Sequence, residues 1–230
     1  MLRAQKKISK KVIKEDTLVT TYFKAQVWYD ENRRRVSTVA GVVAVIAVAL
    51  WFYSNNVRAN NDRATTDLAK VYSFYDNGQY QIAINGIPER NINGLQSIVD
   101  NYGSTKSGNL AKFYLANAYY NTQNYDKALD YFSDFSGSGN SLVDNSAIAG
   151  IGACYEAKGN FKKAAENYEK AALKNTDDPN AADNLVNAAR NFGRSGDKDR
   201  AVELLKKVKK DYPTSTAARE VERYIAEISE

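Results

Sequence analysis

The longest apolar stretch of the chain runs from Val36 to Val57 and carries no charged side chain over its 22 residues. As an α-helix, such a stretch reaches roughly 33 Å, close to the thickness of about 30 Å of a bilayer's hydrocarbon core. The pattern therefore predicts one transmembrane helix over residues 36–57. A cleaved signal peptide is disfavoured, because 35 residues precede the stretch and no small-x-small site follows it.

Both ends of the predicted span carry residues typical of a membrane boundary. Arg33, Arg34 and Arg35 precede the span, and Trp51, Phe52 and Tyr53 lie near its C-terminal end. Aromatic rings favour the membrane interface, and basic flanks stay in the cytoplasm. Residues 1–35 contain ten basic and four acidic side chains, so we expect a cytoplasmic N-terminus and an exported C-terminal body.

The segment before the span is a basic tail that is partly amphipathic. Its apolar residues recur with helix-like spacing: Leu18, Val19, Tyr22, Phe23, Val27 and Trp28. Two interpretations remain open for this stripe. It could belong to a helix that lies on the cytoplasmic leaflet beside anionic head groups, or it could dock against a membrane-protein partner.

A spacing pattern repeats in the body of the chain. The pattern has four positions and recurs with offsets of 36 and 37 residues. It consists of a small residue, an aromatic residue three positions later, an alanine nine positions after that and a large residue four positions further on. The copies begin at Ala116, Gly152 and Ala189, and a weaker copy begins at Val71. An insertion of about nine residues, 85–93, interrupts the weaker copy. A fixed period of this length is typical of a solenoid.

Each repeat contains a short polar or glycine stop between two apolar runs of helical period, which indicates a helical hairpin. The predicted fold is therefore all-α, with a single transmembrane helix followed by a solenoid of hairpins. We predict a degenerate first repeat over residues 58–108, three good repeats over 109–215 and a polar-faced capping helix over 216–230. Such a cap protects the exposed end of a solenoid.

Charge and composition exclude several classes of function. The net charge is +5, but residues 36–230 contain 22 basic and 23 acidic side chains, so no basic surface for nucleic acid is expected. The chain has no His and a single Cys, Cys154, in an apolar helical run where we expect a small core residue. Neither a His-dependent catalytic site nor a His or multi-Cys metal site is possible. We predict a protein without enzymatic activity, cofactor or metal.

The remaining candidate site is a groove lined by the first helix of each hairpin. The repeat spacing places a mixed set of aromatic, amide and charged residues there: Phe113, Asn117, Tyr120, Asn121, Glu156, Arg190 and Arg194. Such a mixture suits contacts with a peptide or a protein loop. The aromatic members could instead serve packing, and this alternative remains open.

The repeat signature resembles that of the tetratricopeptide repeat over roughly residues 59–215. The aromatic residues Tyr125 and Phe161 just before the second helices, and Pro213 after the last, also resemble that family's pattern. The resemblance implies a scaffold for protein–protein interaction. The longer period of 36 to 37 residues and the weak first copy are departures from the pattern.

The layout of tail, anchor and repeat body resembles the YfgM-like ancillary proteins of the bacterial inner membrane. That resemblance rests on the arginine flank, the apolar span, its aromatic exit and the degenerate first hairpin. It implies a periplasmic body whose partners are the Sec translocon, a periplasmic prolyl isomerase and exported polypeptides. Two rivals remain: a structural accessory subunit of a large respiratory or photosynthetic membrane complex, and an envelope scaffold for division or cell-wall machinery.

Overall fold

The computed structural model describes the backbone of residues 10–229 and the side chains of residues 17–228. The chain divides into two compact units, Met1–Asn56 and Val57–Glu230. Eleven α-helices are described: α1 Lys10–Asp76, α2 Tyr80–Asn85, α3 Leu95–Tyr102, α4 Lys106–Asn121, α5 Tyr125–Asp134, α6 Ser141–Ala157, α7 Phe161–Lys174, α8 Ala181–Arg194, α9 Lys198–Asp211, α10 Thr216–Arg219 and α11 Val221–Ser229. The all-α fold predicted from the sequence is confirmed.

In the first unit, the described residues belong entirely to α1. Among the residues that the structure describes, α1 is the one helix long and apolar enough to cross a membrane. Its most apolar window has a mean hydropathy of 2.2, and none of that window is buried in the protein. An apolar helix surface of this size without a protein covering is costly in water. Residues 1–9 of the predicted tail lie outside the described residues.

The second unit contains the helical hairpins α4–α5, α6–α7 and α8–α9. Each hairpin turns at a residue with positive φ, namely Gln123, Gly159 or Gly196. The next residue caps the second helix: the side chains of Asn124, Asn160 and Asp197 each accept a hydrogen bond from the backbone N–H three residues later. A left-handed residue ends one helix and an N-cap begins the next, so these two positions fix the turn locally.

Small residues set how closely the two helices of a hairpin approach. Ala128, Ala164 and Ala201 are fully buried at the same position of the three second helices. On the first helices, a Cβ added to Gly152 would lie 3.1 Å from the ring of Tyr168, and one added to Gly150 would overlap the ring of Phe132. The large side chains therefore fill the space that these small residues leave between helices.

The first hairpin is formed by the part of α1 after residue 56 and by a second helix that is split in two. Two short antiparallel strands, β1 (Gly86–Ile87) and β2 (Ile92–Asn93), separate α2 from α3 and enclose a 3₁₀ turn at Pro88–Arg90. Gly86 has φ of 78°, and a Cβ there would overlap the carbonyl of Ile92. Glycine is therefore required where the two ends of the insertion meet.

A buried amide in the first turns of α4 and α6 holds the loop that follows each hairpin. Asn109 donates to the Gly137 carbonyl at 2.7 Å and accepts from the Ser136 N–H at 3.1 Å. Asn145 occupies the same repeat position and donates to the carboxylate of Asp178 at 2.8 Å. These amides link each repeat to the loop leading into the next one.

The C-terminal segment predicted as one capping helix consists of α10 and α11, which meet at Glu220. The Glu220 N–H bonds to the Ala217 carbonyl and ends the first of these helices. After this break α11 packs against α8 and α9, with Ile228 near Gly193. The bend follows from this packing, because α10 also contacts both helices.

We expect Asn145→Ala to lower the free energy of unfolding by about 1–3 kcal/mol, because the buried carboxylate of Asp178 loses a hydrogen-bond donor. Chemical unfolding of the full chain in detergent, followed by circular dichroism, measures the effect. Asn101→Ala is the matched control, since that exposed amide bonds only within its own helix, and it should cost less than about 0.5 kcal/mol. Equal losses in both variants would contradict a linking role for Asn145.

Candidate protein-binding surface

The first helices of successive hairpins contact one another and form a continuous surface. It comprises residues 57–76 of α1 together with α4, α6 and α8, and we call it the first-helix surface. The rings of Tyr72 and Tyr114 lie 5.2 Å apart and join α1 to α4. Glu156 lies near Tyr120 of α4 and forms an ion pair with Arg194 of α8 at 3.1 Å.

Phe113 of α4 points from this surface toward the core. Its ring centroid is 6.1 Å from that of Phe132 and 5.9 Å from that of Phe135, both of which belong to the same hairpin or its exit. The side chain is partly buried and packs against the core. Most of its apolar area therefore already contributes to packing within the hairpin.

Of the other predicted residues of α4, Asn121 is exposed, and Asn117 and Tyr120 are partly buried. Asn117 and Asn121 each donate one amide hydrogen, at 2.8 Å, to the backbone carbonyl one turn earlier. This leaves the amide oxygen and the second hydrogen of each side chain for a ligand. Tyr120 packs edge to face on Tyr125 at 5.5 Å, and burial raises the pKa of its phenol.

Glu156 is the centre of a polar cluster. Its carboxylate accepts from the Arg194 guanidinium at 3.1 Å and from the Tyr168 hydroxyl at 3.2 Å. The guanidinium also lies 3.8 Å from the ring centroid of Phe161, a cation–π contact. Burial, and then the Glu156 charge, raise the pKa of Tyr168, so its hydroxyl stays protonated and donates. The structure thus brings Glu156 and Arg194, which the sequence predicted separately, into one contact.

Arg190 lies one helical turn before this cluster, beside the C-terminal helix. Its guanidinium carbon is 6.0 Å from the ring centroid of Tyr224, and within residues 17–228 it has no carboxylate partner. A cleft of about 320 Å³ opens here between α8 and α11, lined by Arg190, Gly193, Arg194, Lys198, Glu227 and Ile228. Arg194 is paired with Glu156, and Glu227 with Arg223. Arg190 and Lys198 therefore leave this end of the first-helix surface positive.

The opposite end carries a group of tyrosines that the sequence did not single out. We call Tyr72, Tyr75, Tyr80 and Tyr114 the tyrosine cluster. Their ring centroids are 5.0 to 5.9 Å apart, mostly edge to face. Burial and the neighbouring phenols raise the pKa of Tyr75 to about 12. The repeat spacing could have found them, because Tyr72 and Tyr75 occupy the positions of Asn117 and Tyr120 in the degenerate first repeat.

The predicted membrane-boundary residues all lie on α1 within the first unit. Arg33, Arg34 and Arg35 are exposed, and Trp51, Phe52 and Tyr53 are 67%, 71% and 69% exposed. Single exposed aromatic residues are ordinary on a soluble surface, but three in sequence after a long apolar stretch are not. This arrangement is suited to the interfacial region of a bilayer.

Catalytic chemistry finds little support among these residues. Cys154 is fully buried, and burial raises the pKa of its thiol to about 12, which makes it unreactive. Within residues 17–228 no group of three or more Asp, Glu or Cys side chains is arranged to hold a metal ion. The functional groups that the first-helix surface offers to a ligand are aromatic rings, amides and ion pairs.

The fold and this surface define a helical-repeat solenoid of the tetratricopeptide type. The family model of the tetratricopeptide repeat matches residues 110–136 and 183–215, in the first and third of the regular hairpins. Over these two segments the chain is similar to tetratricopeptide repeats.

Solved structures share this fold. A crystal structure of nearly identical TPR-like repeats from a Podosopora anserina protein named as a kinesin light chain, in a variant form, superimposes with a TM-score of 0.56 at 18% identity, covering 73% of this chain and 85% of that one. A second structure of those repeats gives a TM-score of 0.51 at 17% identity, covering 74% and 96%. At such identities the likeness concerns the fold alone. No curated protein is similar enough in sequence to count as a relative.

The contact between Glu156 and Arg194 is tested by a double-mutant cycle with Glu156→Gln and Arg194→Met. We expect a coupling of about 0.5–1 kcal/mol in the free energy of unfolding, because the pair is partly exposed. The control cycle pairs Glu156→Gln with Arg190→Met, whose guanidinium has no carboxylate partner in the described part, and should give no coupling. Equal coupling in both cycles would show a general charge effect instead of a contact.

Alkaline unfolding tests the environment of Tyr75. Its pKa is about 12 in the folded chain and about 10 when exposed, so the unfolded chain loses this proton first. The stability that depends on the neutral phenol is complete below about pH 10 and is lost as the pH rises through about 12. We expect the Tm of Tyr75→Phe to fall less steeply over this range than that of Tyr102→Phe, a control outside the cluster. Parallel slopes would contradict the assignment.

Proposed function

We propose that this protein is a single-pass membrane protein whose repeat unit binds other proteins in the bacterial periplasm. The single observation that carries the proposal is the combination, on one chain, of an exposed apolar helix and a first-helix surface with aromatic, amide and charged groups. In this proposal the helix anchors the chain in the membrane, and the first-helix surface recognises protein partners. The arginines before the apolar span favour a cytoplasmic N-terminus.

The partner that the sequence favours is the Sec translocon together with a periplasmic prolyl isomerase. This rests on the resemblance to YfgM-like proteins in the order of basic tail, anchor and repeats. In that role the protein is an accessory or chaperone subunit that assists exported polypeptides as they leave the translocon. Binding by a surface with several partly exposed aromatic residues suits transient contact with unfolded chains.

A second candidate is a structural accessory subunit of a large respiratory or photosynthetic complex. The exposure of α1 between residues 17 and 56 favours it, because such a helix also suits permanent packing among other membrane helices. The two candidates differ in stoichiometry. A structural subunit stays at a fixed ratio to its complex, whereas a translocon helper binds substoichiometrically.

Pull-down through a C-terminal tag in mild detergent, with quantitative mass spectrometry, tests the proposal. We expect translocon subunits and a periplasmic isomerase to be enriched, and Arg190→Glu to reduce their yield severalfold by reversing charge on the first-helix surface. Lys206→Glu is the matched control, because this exposed residue lies on α9, outside that surface, and should leave the yield unchanged. A single respiratory or photosynthetic complex at constant ratio would replace the translocon assignment, and retention of no protein would contradict the scaffold function.

A further inference from the structure

Four aromatic rings of the repeat unit are covered by a cation of the same chain. The contacts place Lys127 over Tyr119, Lys163 over Tyr155, Arg194 over Phe161, and both Arg190 and Arg223 over Tyr224, at 3.8 to 6.0 Å from the ring centroids. The ring faces carry the negative part of the aromatic quadrupole, so these contacts are attractive. The repeat unit thus uses its own basic side chains to cover some of its rings.

The tyrosine cluster, three of whose four rings belong to the first-helix surface, has no such cation in the described part of the chain. Within residues 17–228 no Lys or Arg lies over Tyr72, Tyr75, Tyr80 or Tyr114. The ring of Tyr72 is 40% exposed. The cluster therefore presents one exposed tyrosine, Tyr72, grouped with three partly buried ones, without a cation of its own among the described residues.

The surroundings of the tyrosine cluster are negative. Asp76 is exposed, has no ion-pair partner within the described side chains, and lies close enough to Tyr75 to disfavour ionisation of its phenol. It is also the last residue of α1, whose last turn contains no basic residue. The C-terminal end of a helix carries partial negative charge, which adds to that of the carboxylate.

We infer that the tyrosine cluster, together with Asp76, binds a basic side chain, Arg or Lys, of an extended polypeptide segment. The ring faces, the carboxylate and the helix terminus all attract a cation, and no group of the described chain occupies that place. The inference rests on the proposed function, since it names the chemistry of the segment that the scaffold recognises. A guanidinium fits best because it stacks on rings as well as pairing with a carboxylate.

The opposite end of the first-helix surface determines the orientation in which such a segment binds. There Arg190 and Lys198, which have no ion-pair partner within residues 17–228, line the cleft beside α11 and repel a basic side chain. A segment that covers the whole surface therefore places its basic residue at α1 and neutral or acidic residues at α8. Complementary charge of this kind selects orientation more than it adds affinity.

Fluorescence anisotropy with labelled twelve-residue peptides tests the inference on the full chain in detergent micelles. Three probes share one Ser/Ala/Thr sequence and carry two Arg, two citrulline or two Glu residues; a fourth is an uncharged proline-rich peptide. We expect the Arg peptide to bind at least about fivefold more tightly than the citrulline peptide, which has the same shape without the charge. Equal affinity for these two, or tightest binding of the proline-rich or the Glu peptide, overturns the inference.

Variants locate the binding site without depending on one substitution. Tyr72→Leu and Asp76→Asn should each weaken binding of the Arg peptide about threefold or more, whereas Tyr72→Phe, which keeps the ring, should retain it. Asp62→Asn is the matched control for charge, since that exposed carboxylate lies earlier on α1 and should have no effect. Unchanged affinity in both Tyr72→Leu and Asp76→Asn overturns the assignment of the site.

Failure of this inference can be distinguished from failure of the proposed function. If the pull-down retains partners that depend on Arg190 while the peptides show no preference for Arg, the scaffold function stands and this inference fails. If the pull-down retains nothing, the scaffold function itself fails.

Discussion

The close approach of paired helices at small residues is the constraint on which the repeat unit depends. Ala128, Ala164 and Ala201 are fully buried, and glycines on α6 leave room for the rings of Phe132 and Tyr168. Each hairpin packs on the next one along the chain, and the buried core consists of two clusters, one from α1 to α6 and one from α7 to α11. Stability is then close to a sum of neighbour contacts, as expected for a solenoid. The first-helix surface exists because this packing repeats in register.

The hairpins were predictable because their determinants are local. A stop residue and an Asx cap at each turn, with alanines at fixed spacing, indicate helix ends and helix contacts without any knowledge of the rest of the chain. The split second helix of the first repeat was not predictable in this way. The two ends of the insertion meet at Gly86 and Gly94, a backbone contact that the helical repeat spacing does not encode. The break at Glu220 depends likewise on how α10 and α11 pack against α8 and α9.

The candidate surface was only partly predictable for a related reason. Repeat spacing placed Asn121, Arg190 and Arg194 at positions that are exposed, but the same spacing cannot distinguish a ring that packs inward, such as Phe113, from one that faces solvent. The tyrosine cluster was missed because the first repeat is weak, although Tyr72 and Tyr75 hold equivalent positions. The ion pair of Glu156 with Arg194 joins two repeats and required the three-dimensional structure. The distribution of charge along the first-helix surface therefore depends on which repeats lie next to each other.

The insertion in the first repeat has a consequence for how the solenoid can change. Its ends, at Gly86 and Gly94, are in backbone contact, so the residues between them leave and re-enter the helix pair at nearly the same place. Loop closure costs little more for a longer loop than for a short one. Sequence can accordingly be lengthened or exchanged between β1 and β2 without moving α2 and α3 apart. The fold thus contains an attachment point where an additional module could be acquired while the helical scaffold stays the same.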